Sequence, residues 1–258
     1  MNAWQKLCMW RRIGIWFVLP IMASACSNAA PADSGALSCD STALGVERTI
    51  DVTALTGPIE VLLSDGEVVL TFDDGPDPRR TRTVLDLLDK HCTKATFFLL
   101  GREAKRYPDI VREIAARGHS LGGHSFTHAD LTTLELEAAV DEVSTGVDTV
   151  NAALVDTGPA TIMFRFPFVA TTEQLSAEIR RMGLLEVGVT VDGADWTNIQ
   201  PDASVEMIFE KLQATGGKGI ILLHDPFYRS DERVSLLLSR LKQDGYKVVA
   251  LRTGETGQ

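Results

Sequence analysis

Positive charge is in short supply. Lys and Arg number 25 against 35 Asp and Glu in 258 residues, for a formal net charge of −10. That deficit argues against a basic groove for nucleic acid or for a polyanion held by its charge, and a neutral substrate fits better. Cysteine is sparse too, four in all, and neither Cys39 nor Cys92 has a spacing that would build a thiolate metal site. No His-Glu-x-x-His helix is present, which disfavours a zinc peptidase of that kind. No motif repeats at a period of about 20–50 residues, which argues against a solenoid. Nor is there a long low-complexity tract, and an apolar share of 45% is that of an ordinary globular chain.

The one unbroken apolar stretch near the start, Ile13 to Ala23, is too short to cross a bilayer. It follows the basic residues Lys6, Arg11 and Arg12 and precedes the small residues Ala23-Ser24-Ala25. This is the pattern of a secretory signal over residues 1–25, so the chain is expected to be exported. Without the three basic residues of that segment, 22 basic side chains face 35 acidic ones, a net charge of −13. Cys26 directly follows the cleavage site, and the segment also resembles a bacterial lipoprotein signal, in which that cysteine takes lipid. Such signals usually carry Leu where this chain has Ala23. The expected location is the cell envelope or periplasm, either lipid-anchored through Cys26 or simply secreted, with no other membrane contact. Cys8 leaves with the signal, and Cys39 and Cys92 then remain as an even pair that an oxidising compartment would join. Closing that loop is worth roughly 4 kcal/mol in the chain-entropy model.

Residues 26–66 read as a tether and N-terminal extension, small, polar and Pro/Gly-bearing up to about residue 45. Within it, residues 48–65 suggest a hairpin closing at Ser64-Asp65-Gly66. From Glu67 onward the pattern is regular, and residues 67–253 form the expected single catalytic domain. Apolar strand-length runs fall at 68–72, 95–100, 162–166, 185–191, 219–223 and 246–250, with a short strand near His119–Leu121. Stretches of helical period lie between them at 109–117, 134–150, 172–182, 203–214 and 231–243. Strands too apolar to face water on either side, alternating with helices, imply α/β architecture with a parallel sheet under helices. About seven such units suggest a TIM-type barrel, with an open doubly wound sheet as the alternative.

The polar residues then fall into place. Asp73 and Asp74 follow the first of these strands, His124 and His128 the short one, Arg165 the next. Asp192 and Asp195 follow the fifth and His224 ends the sixth. All lie at C-terminal strand ends, the face where parallel barrels place their sites. His124 and His128 are four apart, so a single helical turn would bring both imidazoles to one metal ion, with Asp73 or Asp74 as a third donor. A His₂–carboxylate set leaves an open coordination position, and the other Asp of the pair is then available as a base. Arg165 suits holding one carboxylate in place. Pro167 fixes the backbone where the N–H of Phe168 would face an oxyanion. His224 suits a general acid, with Asp195 to orient and charge it. Trp196, the sole tryptophan beyond the signal, either walls an apolar pocket or packs in the core.

Five segments in order, TFDDG (71–75), HSFTH (124–128), RFPF (165–168), DGADW (192–196) and LLHD (222–225), resemble the signature of the polysaccharide deacetylases, carbohydrate esterase family four or NodB-homology domain. The resemblance covers residues 67 to about 251 and implies a distorted (β/α)7 barrel. It implies that Asp74, His124 and His128 bind a divalent metal, most often Zn2+ with Co2+ also suited. Asp73 is implied as catalytic base, His224 as general acid, Arg165 as the residue positioning the base, and Asp195 as the one tuning the acid. Phe168 stands where the family often has Tyr. The implied activity is hydrolysis of N-acetyl groups on N-acetylglucosamine-containing glycans such as peptidoglycan, chitooligosaccharide or exopolysaccharide, releasing acetate. Two rival expectations are an O-acetyl esterase acting on a polymer such as acetylated xylan, and an inactive sugar-binding envelope lipoprotein.

Overall fold

Strand β2 (Glu67–Asp73) is buried along its whole length, and the rest of the molecule is organised around it. The computed structural model describes residues 43–254 except 54 and 56, so the expected leader, Cys26 and Cys39 lie outside the described residues. All ladders are parallel. On one side β2 pairs along its length with β8 (Gly219–His224), from Val68 opposite Gly219 to Asp73 opposite His224. On the other, its first residues pair with β9 (Lys247–Arg252) and its last with β3 (Thr96–Leu99). From β3 the wall continues through β4 (Ser120–Gly123), β5 (Met163–Phe164) and β6 (Leu185–Glu186). From β8 it continues to β7 (Val191–Asp192). Strands β2 to β8 thus form a distorted seven-stranded barrel, left open between β6 and β7, where no ladder joins the described residues. Helices α1 (Arg80–Lys90), α2 (Gly101–Arg106), α3 (Pro108–Ala116), α4 (Leu136–Leu154), α5 (Glu173–Arg181), α6 (Pro201–Ala214) and α7 (Ser230–Gln243) follow strands of that wall. No described helix is long and apolar enough to cross a membrane.

Strand alternation explains both the packing and the placement of the site. In β2, Val68, Leu70 and Phe72 belong to the large apolar cluster shared with α1, α3, α6 and α7. Their neighbours in sequence point the other way: Val69 joins Ile220, Phe98 and Met163 in a second cluster. A period of two therefore carries Thr71 and Asp73 onto the same face as Val69, and His224 onto that of Ile220. The apolar members fill one end of the barrel and the polar members occupy its C-terminal mouth.

Three expectations need correction. Residues 48–65 do not form a hairpin. Strand β1 (Arg48–Asp51) pairs in parallel with β9, and Ile59–Leu62 is a 3-10 turn in which Ile59 and Leu63 are buried while Val61 and Leu62 are exposed, a helical rather than alternating spacing. The segment is fixed by Arg48, which donates to both oxygens of the nearly buried Glu67 at 2.8 and 2.7 Å. That bond, with help from the Ser64 amide, holds the Glu67 carboxyl down at about 2. Second, the run 185–191 is not one strand. It breaks between β6 and β7 because the carbonyls of Val187 and Gly188 accept from Arg165 instead of a neighbouring strand. Third, α1 and α2 had not been expected, although Thr81, Val84, Leu85 and Leu88 bury one face of α1 at helical spacing.

Candidate active site

Asp73 ends β2 and faces the mouth of the barrel, 2% exposed. Arg165, directly after β5, is fully buried and gives one nitrogen to both Asp73 Oδ1 and Thr71 Oγ1, each at 2.8 Å. Its other nitrogens donate to the carbonyls of Val187 and Gly188 at 3.1 and 2.9 Å, and its guanidinium carbon lies 4.2 Å from the centre of the Phe98 ring. With every side of the guanidinium engaged, the Asp73 carboxylate is held in one orientation. Thr71 had not been singled out in the sequence, although its place two residues before Asp73 puts it on the same strand face.

Asp74 comes next in the chain but in a different environment. Its φ of 71° lies in the left-handed region, which Asp tolerates better than most residues. Asp74 Oδ1 lies 3.6 Å from His124 Nε2 and 3.3 Å from His128 Nε2. These three donor atoms lie within 4.8 Å of one another. Asp74 Oδ1 is buried and has no hydrogen-bond partner, an arrangement that is costly unless a cation completes it. His124 is set to serve such a cation. Its Nδ1 lies 2.8 Å from the Arg165 carbonyl and so carries the proton, which leaves the Nε2 lone pair facing Asp74. Burial also pushes the His124 imidazole toward its neutral form, against the pull of Asp73 and Asp74. The residues present therefore fit a divalent metal with an oxygen and two imidazole nitrogens as donors.

His124 and His128 do not lie on a helical turn, contrary to expectation. Residues 124–128 form an irregular loop in which Ser125 and His128 have positive φ, and the two rings still approach to 5.0 Å between centres. Helix α4 supplies the support that a helical turn would have given. Glu142 accepts from the amides of Phe126 and Thr127 at 3.1 and 2.9 Å and from the Thr127 hydroxyl at 3.0 Å. Ser125 Oγ accepts from the His128 amide at 3.0 Å. One turn further along α4, Gly146 lets the helix meet the loop, since a Cβ there would fall 2.5 Å from the Ser125 carbonyl carbon. No sequence pattern pointed to Glu142, which is remote in the chain from the loop it holds.

His224 ends β8, in register with Asp73 on the adjacent strand. Asp195 grips it twice: Oδ1 lies 2.7 Å from Nδ1, and Oδ2 accepts from the His224 amide at 2.8 Å. Burial opposes the imidazolium, but the Asp195 bond and charge, with the fields of Asp73 and Asp74, carry its pKa up to about 9. His224 is thus charged at neutral pH with Nε2 free to donate. The following residue, Asp225, faces away from the barrel mouth. Burial raises its carboxyl to about 7, Thr81 donates to it, and it explains the glycine of the TFDDG segment, because a Cβ on Gly75 would lie 2.7 Å from Asp225 Oδ1.

Asp73, Asp74, His124, His128 and His224 together line a cavity of about 500 Å3. Its apolar wall includes Phe168, Trp196, Leu222 and Phe227. Trp196 is 57% exposed and Phe168 65% exposed, so both stand at the rim and neither packs in the core. The Phe168 ring meets His128 edge-on at 4.6 Å, and the Phe168 backbone is left-handed with φ 58°.

A family model described as polysaccharide deacetylase matches residues 62–187. A chitooligosaccharide deacetylase of Rhizobium leguminosarum bv. trifolii is 36% identical over 162 residues, which are 62% of this chain and 72% of that protein. The chain belongs to the polysaccharide deacetylase family. A peptidoglycan-N-acetylglucosamine deacetylase of Listeria monocytogenes is 32% identical over 185 residues, 71% of this chain but only 38% of that longer protein. Among solved structures, a peptidoglycan deacetylase of Bdellovibrio bacteriovorus superposes with a TM-score of 0.73 at 28% identity, covering 84% of this chain and 61% of that one. A polysaccharide deacetylase fold alone does not establish chemistry, which rests on the side chains at the mouth of the barrel.

Proposed function

We propose that the chain is a metal-dependent hydrolase that removes N-acetyl groups from an N-acetylglucosamine-containing glycan and releases acetate. The observation that carries this reading is the division of labour between the adjacent carboxylates. Asp73 is held by Arg165, while Asp74 Oδ1 is buried, unpartnered and aimed between two imidazoles. The relatives' activities, on chitooligosaccharide and on peptidoglycan, support the same substrate class.

Asp74, His124 and His128 would hold a divalent cation, Zn2+ by its preference for this donor set, with Co2+ also suited. Such a cation supplies Lewis acidity toward the acetamide carbonyl and acidifies water at the site. Asp73 accepts the proton of the attacking water, and Arg165 keeps its carboxylate oriented and its negative charge compensated. The N–H of Phe168 is assigned to the oxyanion of the tetrahedral intermediate. His224 then gives its Nε2 proton to the amine nitrogen as the C–N bond breaks, and Asp195 stabilises the imidazolium until that moment. The apolar wall of Trp196, Leu222 and Phe227 suits the acetyl methyl and the face of a sugar ring.

The leader and Cys26 support export, with the protein either lipid-anchored in the cell envelope or secreted, and Cys39–Cys92 is the proposed disulfide. Acetate release from an N-acetylglucosamine oligomer, measured with and without a chelator, tests the reading. Activity that survives full removal of metal would overturn it. A parallel assay on an O-acetylated glycan separates amide from ester hydrolysis.

A further inference from the structure

The catalytic cavity meets another at the metal-ligand set. Beyond Asp74 and His128 lies a second cavity of about 390 Å3, walled by α2 and by residues 76–77 and 226–227. Both cavities include Asp74, His128 and Phe227 in their linings. A glycan whose acetamide is seated between Asp74 and His224 would therefore extend a neighbouring sugar into the second cavity. Its volume is in the range of about 300–1,000 Å3 that small-molecule sites occupy.

The two cavities differ in chemistry. The first adds Asp73, His124 and His224 and an apolar wall of Phe168, Trp196 and Leu222 to the shared residues, whereas the second brings together Asp77, Arg102, Glu103, Arg106 and Tyr107. Most of these charges are already answered. Glu103 lies 3.3 Å from Arg102. Asp77 accepts from the amides of Arg79 and Arg80 at the start of α1 and lies 3.8 Å from the Arg80 guanidinium. Asp74 belongs to the metal-ligand set. Arg106 is the lining charge that forms no ion pair among the described residues. Its guanidinium carbon sits 5.1 Å from the centre of the Tyr107 ring, a cation–π contact that restrains the side chain and leaves its N–H donors free. The local excess is thus one fixed positive charge beside the reacting sugar.

We propose that this second cavity is a subsite for a neighbouring sugar that carries a carboxylate, and that Arg106 recognises that carboxylate. The inference rests on the deacetylase reading and sharpens it: the reacting sugar is neutral and its neighbour anionic. The overall acidity of the chain does not conflict with this, because one carboxylate requires one guanidinium and no basic groove.

The test compares the zinc-loaded wild type with Arg106→Gln on two oligosaccharides of equal length. One is a plain N-acetylglucosamine oligomer. In the other, alternate sugars bear a 3-O-lactyl carboxylate, and a third probe has that carboxylate converted to the amide. Arg106→Gln is expected to raise KM for the carboxylate substrate by about 10-fold, as loss of one charge-assisted hydrogen bond would. Its kcat, and both constants on the neutral and amidated oligomers, should stay as in wild type. Equal losses on all three substrates, or no loss on any, overturn the proposal. Calorimetric binding of the same oligomers keeps the two readings apart. If none of the three substrates releases acetate, the deacetylase reading fails, and weaker binding of the carboxylate oligomer alone by Arg106→Gln still supports the subsite. Unchanged binding refutes it.

Discussion

Asp195→Asn separates charge from geometry in the acid half of the site. In the wild type the buried His224 imidazole is raised to about 9, against the cost of its own burial, chiefly by Asp195. Without that charge, burial acts with less opposition, and the imidazole falls to its ordinary value of about 6.5 or below. The acid must be protonated to act, so the alkaline limb of kcat/KM moves down by about two units or more. At pH 8 the protonated fraction drops from roughly nine-tenths to a few hundredths, a loss of about 30-fold from protonation alone, whereas at pH 6 that loss is under about twofold. A bound cation lowers the imidazole in both proteins by a similar field, so the readout is the displacement between the two profiles. Acetate release across pH 5 to 10 on the zinc-loaded proteins measures it. Asparagine also disturbs the twofold grip on the imidazole and the amide, and that loss is uniform in pH. A uniform drop with an unmoved limb would show that Asp195 only positions His224, and the electrostatic reasoning would be wrong. Stability follows the same shift with a fixed sign. A histidine raised on folding stabilises fully below about 6.5 and loses that contribution as pH rises through about 9. Thermal unfolding of the wild type should therefore weaken between those values more than that of Asp195→Asn.

The adjacent carboxylates should separate on substitution. Asp74→Asn is expected to lose bound metal, measured by elemental analysis after dialysis, whereas Asp73→Asn keeps metal and loses turnover. Asp73→Asn should also leave the buried Arg165 without its counter-charge, at a cost of about 3–5 kcal/mol in denaturant unfolding. Glu142→Ala removes three hydrogen bonds from the loop between the two histidines, and metal affinity should fall by about 10–100-fold with the ligands intact, read by competition with a chelating dye. Gly146→Ala forces a main-chain clash with Ser125, and a loss of about 1–3 kcal/mol in stability is expected, together with weaker metal binding.

Most of the site was legible because barrel geometry turns order along the chain into position on one face. Asp73, His124, Arg165, Asp195 and His224 each sit at or just beyond a C-terminal strand end, and the strands carry them to the same mouth. What escaped reading depends on contacts between elements far apart in sequence. Glu142 supports residues 126–127 from the middle of a helix, where a charged residue at that spacing looks like any solvated position. Strand β1 pairs with a partner about 200 residues away, so its short local pattern was as compatible with a hairpin as with an added edge strand.

The break between β6 and β7 has a further consequence for how the base is held. A continuous strand over 185–191 would give its carbonyls to a ladder, and Arg165 would then have only Asp73 and Thr71 to bond. By leaving the barrel open there, the fold offers Val187 and Gly188 carbonyls to a buried guanidinium that otherwise would have donors unsatisfied. The carbonyl of the same arginine accepts from His124 Nδ1. One residue thus fixes the orientation of Asp73 through its side chain and the tautomer of His124 through its backbone. The distortion of the barrel is therefore part of what lets Asp73 and Asp74, side by side in the chain, serve different ends.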